Sequence, residues 1–212
     1  LADKLGYQEA LFGEHFTDVA EPITSCLMFI ARLMGEVEQI TLGTGVTNLP
    51  VYHPVMLAGQ IAMIDTMLDG KFIWGIGPGG LQSDVEVFGN SDIDRNEKMV
   101  EVFEQILQIW WGEAPLNVSG KFNSFTTEAS YYPEIGQGIA PKPIQKPHPP
   151  VVVTAVAPAS HGITLAAERG WQPISCQYVH PHWIATHLPK YLEGLRNTGL
   201  PEDPTGYRVA KL

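Results

Sequence analysis

Ile40-Thr41-Leu42-Gly43-Thr44-Gly45-Val46-Thr47-Asn48 and Lys71-Phe72-Ile73-Trp74-Gly75-Ile76-Gly77-Pro78-Gly79-Gly80 are the two runs on which the fold turns. Each is short, apolar and β-branched, and each ends in glycine, proline or asparagine. Helix-patterned residues separate them. That is a βαβ unit, in which a crossover helix returns the chain to a second, parallel strand. Small residues at a strand end let backbone approach a ligand closely, and ligands of parallel α/β sheets sit at those carboxyl ends. Thr44, Gly45, Val46, Asn48, Gly77 and Gly79 are therefore expected to help line a site.

Upstream, residues 9–12 read as a short strand leading into Gly13-Glu14-His15-Phe16-Thr17-Asp18. Polar groups with an imidazole at a strand's carboxyl end stand where a barrel keeps its reacting groups, so Glu14 and His15 are the catalytic candidates. The same pair also suits a half-buried histidine satisfied by a backbone carbonyl. After Pro22, residues 25–35 form a helix with Leu27, Ile30, Ala31 and Met34 on one face, capped by Thr24 or Ser25.

Between the two defining strands, Pro50 and Pro54 hold a loop extended and start the next helix. His53 either faces a ligand or caps the loop. Residues 55–68 place Leu57, Ile61, Ile64 and Leu68 on an inward stripe, and Asp65 is positioned to pair with Lys71. The Gly-Ile-Gly-Pro-Gly-Gly run is not a dinucleotide fingerprint, because Pro78 interrupts it and no acidic residue ends a following strand at the required distance. Residues 97–111 repeat Val100, Phe103, Ile106, Leu107 and Trp110 at helical spacing, a core pattern. Residues 112–150 then break the rhythm with prolines at 115, 133, 141, 143, 147, 149 and 150. A connection this long points to a lid or binding loop, with a small hairpin about Ser119-Gly120-Lys121-Phe122.

Residues 151–156 are a buried-type strand, and Ala157-Pro158-Ala159-Ser160 leads into a helix over 161–169. Ser160 reads as an ordinary N-cap. A helix N-terminus opening onto strand ends is also a ready anion site, which adds Ala157, Ser160 and His161 to the cofactor-binding candidates. Residues 171–176 are the next strand. His180-Pro181-His182 has no Asp, Glu or Cys partner nearby and reads as a helix start, so no metal site is expected. A final helix over 183–197 carries Ile184, Leu188, Leu192 and Leu195 on one side.

Strand and helix thus alternate through five units, the mark of a parallel sheet. A closed (β/α)₈ barrel takes about 250 residues, and the chain has 212. The expected fold is an α/β, TIM-type (β/α)₈ barrel, incomplete here, lacking its first strand and last two. It forms a single domain, 1–212, with a long insertion at about 112–150. Residues 1–6 read as the tail of a helix under way, and Tyr207-Arg208-Val209-Ala210-Lys211-Leu212 as a strand that stops when it begins, so a piece of a longer chain is expected. Twenty-three acidic against thirteen basic residues give a net charge of −10, which disfavours nucleic acid or an anionic membrane as partner. Cys26 and Cys176 stand far apart in apolar settings and read as free thiols of a reducing compartment. The expected localisation is cytoplasmic.

Several motifs together resemble the bacterial luciferase-like, flavin-dependent monooxygenases. They are Gly13-Glu14-His15-Phe16-Thr17, Leu42-Gly43-Thr44-Gly45-Val46 through Leu49-Pro50, His53-Pro54, Asp65 before Asp69-Gly70-Lys71, Gly75-Ile76-Gly77-Pro78-Gly79, and Gln145-Lys146-Pro147-His148-Pro149-Pro150. Gly80-Leu81-Gln82-Ser83-Asp84 and the proline-rich loop look most like the limonene monooxygenase branch. The resemblance implies a TIM-type barrel, FMN supplied reduced by a separate flavin reductase, and oxygen activation on that flavin. It implies O2 and a small apolar substrate such as a terpene, aldehyde or ketone, a homodimer when full-length, and a non-proline cis peptide at Gly45–Val46. Two readings stand beside it: a deazaflavin-dependent oxidoreductase of the same fold, and a non-catalytic flavin-binding partner subunit.

The chain departs from luciferases proper at two places, Phe16 where they carry a second histidine and Pro78 where they carry an arginine. The flavin phosphate is therefore expected on the backbone N–H groups, helix dipole and Ser160 hydroxyl of residues 157–161. His15 is expected to orient or protonate the activated oxygen.

Overall fold

The computed structural model describes residues 1–210, and Lys211 and Leu212 lie outside the described residues. The chain alternates strands and helices in the order β1 (Glu9–Phe12), α1 (Cys26–Leu33), β2 (Thr41–Thr44), β3 (Thr47–Asn48), α2 (Pro54–Met67) and β4 (Phe72–Gly77). It continues through α3 (Gln82–Val87), α4 (Arg95–Trp111), the hairpin strands β5 (Asn117–Val118) and β6 (Phe125–Thr126), and β7 (Val151–Ala155). The last elements are α5 (His161–Glu168), β8 (Gln172–Ser175), α6 (Pro181–Asn197) and β9 (Arg208–Val209). Apart from the hairpin, the strands form one parallel sheet in the order β1-β2-β4-β7-β8-β9, with β3 also paired to β4. The strand expected to open at Tyr207 forms over Arg208–Val209. Residues 3–5 make a single 3-10 turn.

The sheet curls as an incomplete barrel does. Arg208 on β9 reaches both carboxylate oxygens of Glu9 on β1, at 2.8 and 2.9 Å, so the first and last strands in sheet order touch through their side chains. Crossover helices cover the outer face. Ser25 caps α1 by accepting from the Met28 N–H, and Asp94 caps α4 by accepting from Asn96 and Glu97. The helix α4 buries Val102, Phe103, Ile106, Ile109 and Trp110, each contributing roughly 1.5–3 kcal/mol of transfer free energy. Trp74 of β4 lies between Phe103 and Trp110, both rings centred 5.4 Å away. It is fully buried under α4, so Trp74 is a core residue.

Two expectations are corrected. Asp65 does not pair with the exposed Lys71. Its carboxylate is fully buried and accepts from the Gln145 backbone N–H (2.9 Å) and side-chain amide (2.6 Å), while the same amide reaches the Phe72 carbonyl. A buried carboxylate needs hydrogen bonds at short range, and the strap supplies them. Residues 112–150 are not a lid over the strand ends. They leave α4 and enter β7, both at the amino side of the sheet, and they pack outside the helices. Glu101 of α4 accepts from the N–H groups of Lys121, Phe122 and Asn123, and Lys121 pairs with Glu97 at 2.7 Å. The small hairpin expected there is the β5–β6 pair.

Candidate functional site

The carboxyl ends of β1, β2–β3, β4 and β7 lie side by side, which brings the predicted site residues to one end of the sheet. The strand expected over 40–47 is broken at Gly45–Val46, where the peptide bond is cis. The Gly45 N–H donates to the Phe12 carbonyl at 2.7 Å and ties this break to the end of β1. Thr44 is fully buried, and its hydroxyl donates to the Gly75 carbonyl and accepts from the Gly75 N–H, both at 2.8 Å. Thr44 is thus a cross-strand clasp. The strands approach so closely that a Cβ on Gly75 would overlap the Thr44 carbonyl oxygen, and one on Gly77 would fall 2.6 Å from the Val46 side chain. The floor of the site is bare backbone.

Glu14 is 3% exposed. One carboxylate oxygen accepts from the Asn48 N–H (2.9 Å) and the other from the Tyr52 hydroxyl (2.8 Å) and the Cys26 thiol (3.2 Å). The Asn48 side-chain amide returns a bond to the Glu14 carbonyl at 3.1 Å. Burial and then the Glu14 charge push the Tyr52 hydroxyl and the Cys26 thiol well above their ordinary ranges, so both stay protonated and donating. Glu14 and Asn48 therefore lock the end of β1 to β3, and their polar groups are spent on each other.

His15 stands at the rim, with Nε2 3.2 Å from Glu21 and Nδ1 3.6 Å from Asp84. Nδ1 has no hydrogen-bond partner. Asp84, on α3, accepts from the Phe16 N–H and the Thr17 hydroxyl. Partial burial works to raise the Asp84 carboxyl, but the Thr17 hydroxyl, the Phe16 and Thr17 backbone and the neighbouring imidazole outweigh it and hold it below the usual carboxylate range. The Phe16 ring meets Phe88 edge-on at 4.8 Å and Tyr52 at 6.5 Å, forming an apolar patch beside His15. His53 takes the capping option, its Nδ1 accepting from the Val55 N–H.

After β7, residues 157–160 form a short loop before α5. Ala159 has a φ of +48°. Ser160 occupies the N-cap position of α5 yet its side chain makes no cap bond, so its hydroxyl stays available. The first N–H groups of α5, from His161 onward, are the donors that a helix start leaves without intrahelical acceptors. One strand away, the Arg95 guanidinium of α4 donates to the Gly79 carbonyl and places a positive charge at the same rim. A hydroxyl and the free N–H groups of a helix start suit a phosphate, and Gly77 and Gly79 present bare backbone at the end of the neighbouring strand. A flavin mononucleotide fits this donor set. Sequence reasoning missed Asp84 and Arg95, because their partners lie 68 and 16 residues away with no periodic signal.

A family model described as luciferase-like monooxygenase matches residues 1–210. The chain is 31% identical over 188 residues to limonene 1,2-monooxygenase of Rhodococcus erythropolis, covering 85% of this chain and 46% of that protein. It is 32% identical over 167 residues to the oxygenase component of flavin-dependent trigonelline monooxygenase of Acinetobacter baylyi, covering 76% and 42%. The chain therefore spans about half the length of the curated relatives it matches. Its fold is similar to that of the oxygenating constituent of 3,6-diketocamphane monooxygenase from Pseudomonas putida, a structure solved in complex with FMN, with a TM-score of 0.89, 24% identity, and coverage of 98% and 58%.

Proposed function

The chain belongs to the luciferase-like monooxygenase family, and from that membership we propose that it forms the flavin-binding part of an FMN-dependent monooxygenase. Reduced FMN comes from a separate flavin reductase, and O2 and a small apolar terpene, aldehyde or ketone are the co-substrates. The observation that carries this reading is the set of strand ends. Gly45–Asn48, Gly77–Gly79 and 157–161 lie at the carboxyl ends of adjacent strands, with an uncommitted Ser160 hydroxyl at one end. Free thiols at Cys26 and Cys176 agree with a reducing, cytoplasmic setting. Among the described residues no helix is long and apolar enough to cross a membrane.

Bound reduced FMN would supply the electrons that activate dioxygen. The protein's own groups do the rest. The Ser160 hydroxyl, the N–H groups of α5 and the Arg95 guanidinium hold the phosphate. Val46 and the glycine backbone seat the ring, and Phe16 with Phe88 offers an apolar surface that excludes water from the reacting centre. His15, at the rim beside Glu21 and Asp84, orients or protonates the reacting oxygen. Glu14 acts through Asn48, as a positioning residue.

In the intact protein, Ser160→Ala should weaken FMN binding by about 2 kcal/mol, the loss of a hydrogen bond to a charged group. Ser160→Asp should weaken it further by adding a repelling carboxylate. FMN titration that finds Ser160→Asp equal to the parent puts the phosphate elsewhere. Oxygen uptake with reduced FMN and candidate substrates tests the reaction, and substrate turnover with a reduced deazaflavin and no oxygen uptake would replace this reading with the hydride-transfer one.

A further inference from the structure

His187 of α6 is completely buried, and both its ring nitrogens are engaged. Nε2 lies 2.9 Å from the Ala157 carbonyl oxygen, and Nδ1 lies 2.7 Å from the hydroxyl of Ser175 at the end of β8. A carbonyl can only accept, so Nε2 carries the hydrogen and Nδ1 accepts from Ser175. The Tyr207 hydroxyl lies 2.7 Å from the Ser175 oxygen and 3.3 Å from the Ile184 carbonyl. The preceding residue, Thr186, takes the next bond of the same loop: its hydroxyl oxygen accepts from the Ala159 N–H at 2.7 Å and donates to the Trp183 carbonyl. Ala159 is held in a left-handed conformation that an L-residue other than asparagine or aspartate seldom adopts.

A serine hydroxyl 2.7 Å from an imidazole has the spacing of a nucleophile and its base. Both side chains are 0% exposed, so no substrate reaches them. Through Nε2 of His187 the pair reaches the Ala157 carbonyl.

We propose that His187 and Thr186 are positioning residues, which fix residues 157–160 from α6 in the conformation that receives the flavin phosphate. The proposal rests on the phosphate reading given above. The backbone of this loop reaches β7 on one side and α5 on the other, but its shape is imposed from a third element. Consecutive residues of α6 grip a carbonyl and an N–H two residues apart. The ring tautomer is set by the Ala157 carbonyl, with Ser175 on the other nitrogen, so the grip does not depend on the ligand being present. A loop ordered in advance binds more tightly because less freedom is lost on binding.

The test compares FMN with riboflavin, which lacks the phosphate, by equilibrium titration of the intact protein. His187→Ala and Thr186→Val should each weaken FMN by about tenfold while leaving riboflavin unchanged, the effect of one well-placed hydrogen bond at a charged ligand. His187→Gln, which keeps an N–H able to reach the Ala157 carbonyl, should remain within about threefold of the parent for FMN. Thr186 is only half-buried on α6, so Thr186→Val keeps the test informative if His187→Ala fails to fold. FMN and riboflavin weakening together, or neither changing, overturns the positioning role provided Ser160→Asp still shifts their ratio. A flat ratio in Ser160→Asp overturns the phosphate reading and this inference with it.

Discussion

Serines 25 and 160 carry the same sequence signal, a small hydroxyl ahead of an apolar periodic run, and the fold uses them differently. Ser25 caps its helix, whereas Ser160 leaves its hydroxyl free. The cap at Ser25 was legible because both partners lie within one turn. The roles of Glu14 were not, because its acceptor sites face residues 12, 34 and 38 positions away. Donors from three residues converge on that one carboxylate. Glu14→Gln replaces an acceptor with an amide that faces donors, and urea unfolding should show a loss of about 2 kcal/mol. His15→Ala should leave FMN affinity nearly unchanged while product formed per reductant consumed falls, and an unchanged yield returns His15 to a structural role. Asp84 contributes to the acid limb of stability. Its folded carboxyl ionises below the ordinary value of 3.8, so its contribution is whole above that value and is lost as pH falls through the folded one. Acid unfolding of Asp84→Asn should therefore show a shallower decline below about pH 4 than the parent.

At the scale of elements, the helices and strands followed from hydrophobic period and capping residues, most plainly in α4. What the pattern could not place was the course of residues 112–150. The prolines predict an extended path, and only the sequence of elements, helix before and strand after, assigns it to the amino side. Its anchor is the pair Asp65 and Gln145, which joins two of the motifs that carry the family resemblance. Asp65→Ala should strand the half-buried Gln145 N–H and cost about 1–3 kcal/mol, and limited proteolysis should then cut within 112–150 before the rest of the chain. The α5–α6 contact is tight for a similar local reason. A Cβ on Gly194 would fall 2.4 Å from the Thr164 carbonyl, so Gly194→Ala should cost about 1–3 kcal/mol by forcing the helices apart.

Across the whole molecule, the alternation of strand and helix predicted a parallel sheet, and the meeting of Glu9 with Arg208 shows how far it curls. No residue-level pattern announces that contact, since the two lie 199 positions apart. The pair is partly exposed, so Arg208→Met should change stability by no more than about 1 kcal/mol by urea unfolding. The glycine floor has a different consequence, one for how such a protein can diversify. At Gly43 and Gly75 a side chain would strike a neighbouring strand, and at Gly77 it would strike Val46, so these positions leave a lineage little to try. On the flavin-site reading proposed above, variation in substrate would fall at the periphery, at residues such as Phe16 and Phe88, whose rings pack on each other outside the sheet. A library directed at the floor should yield mostly unfolded variants, and one directed at the rim should yield folded proteins with shifted preferences.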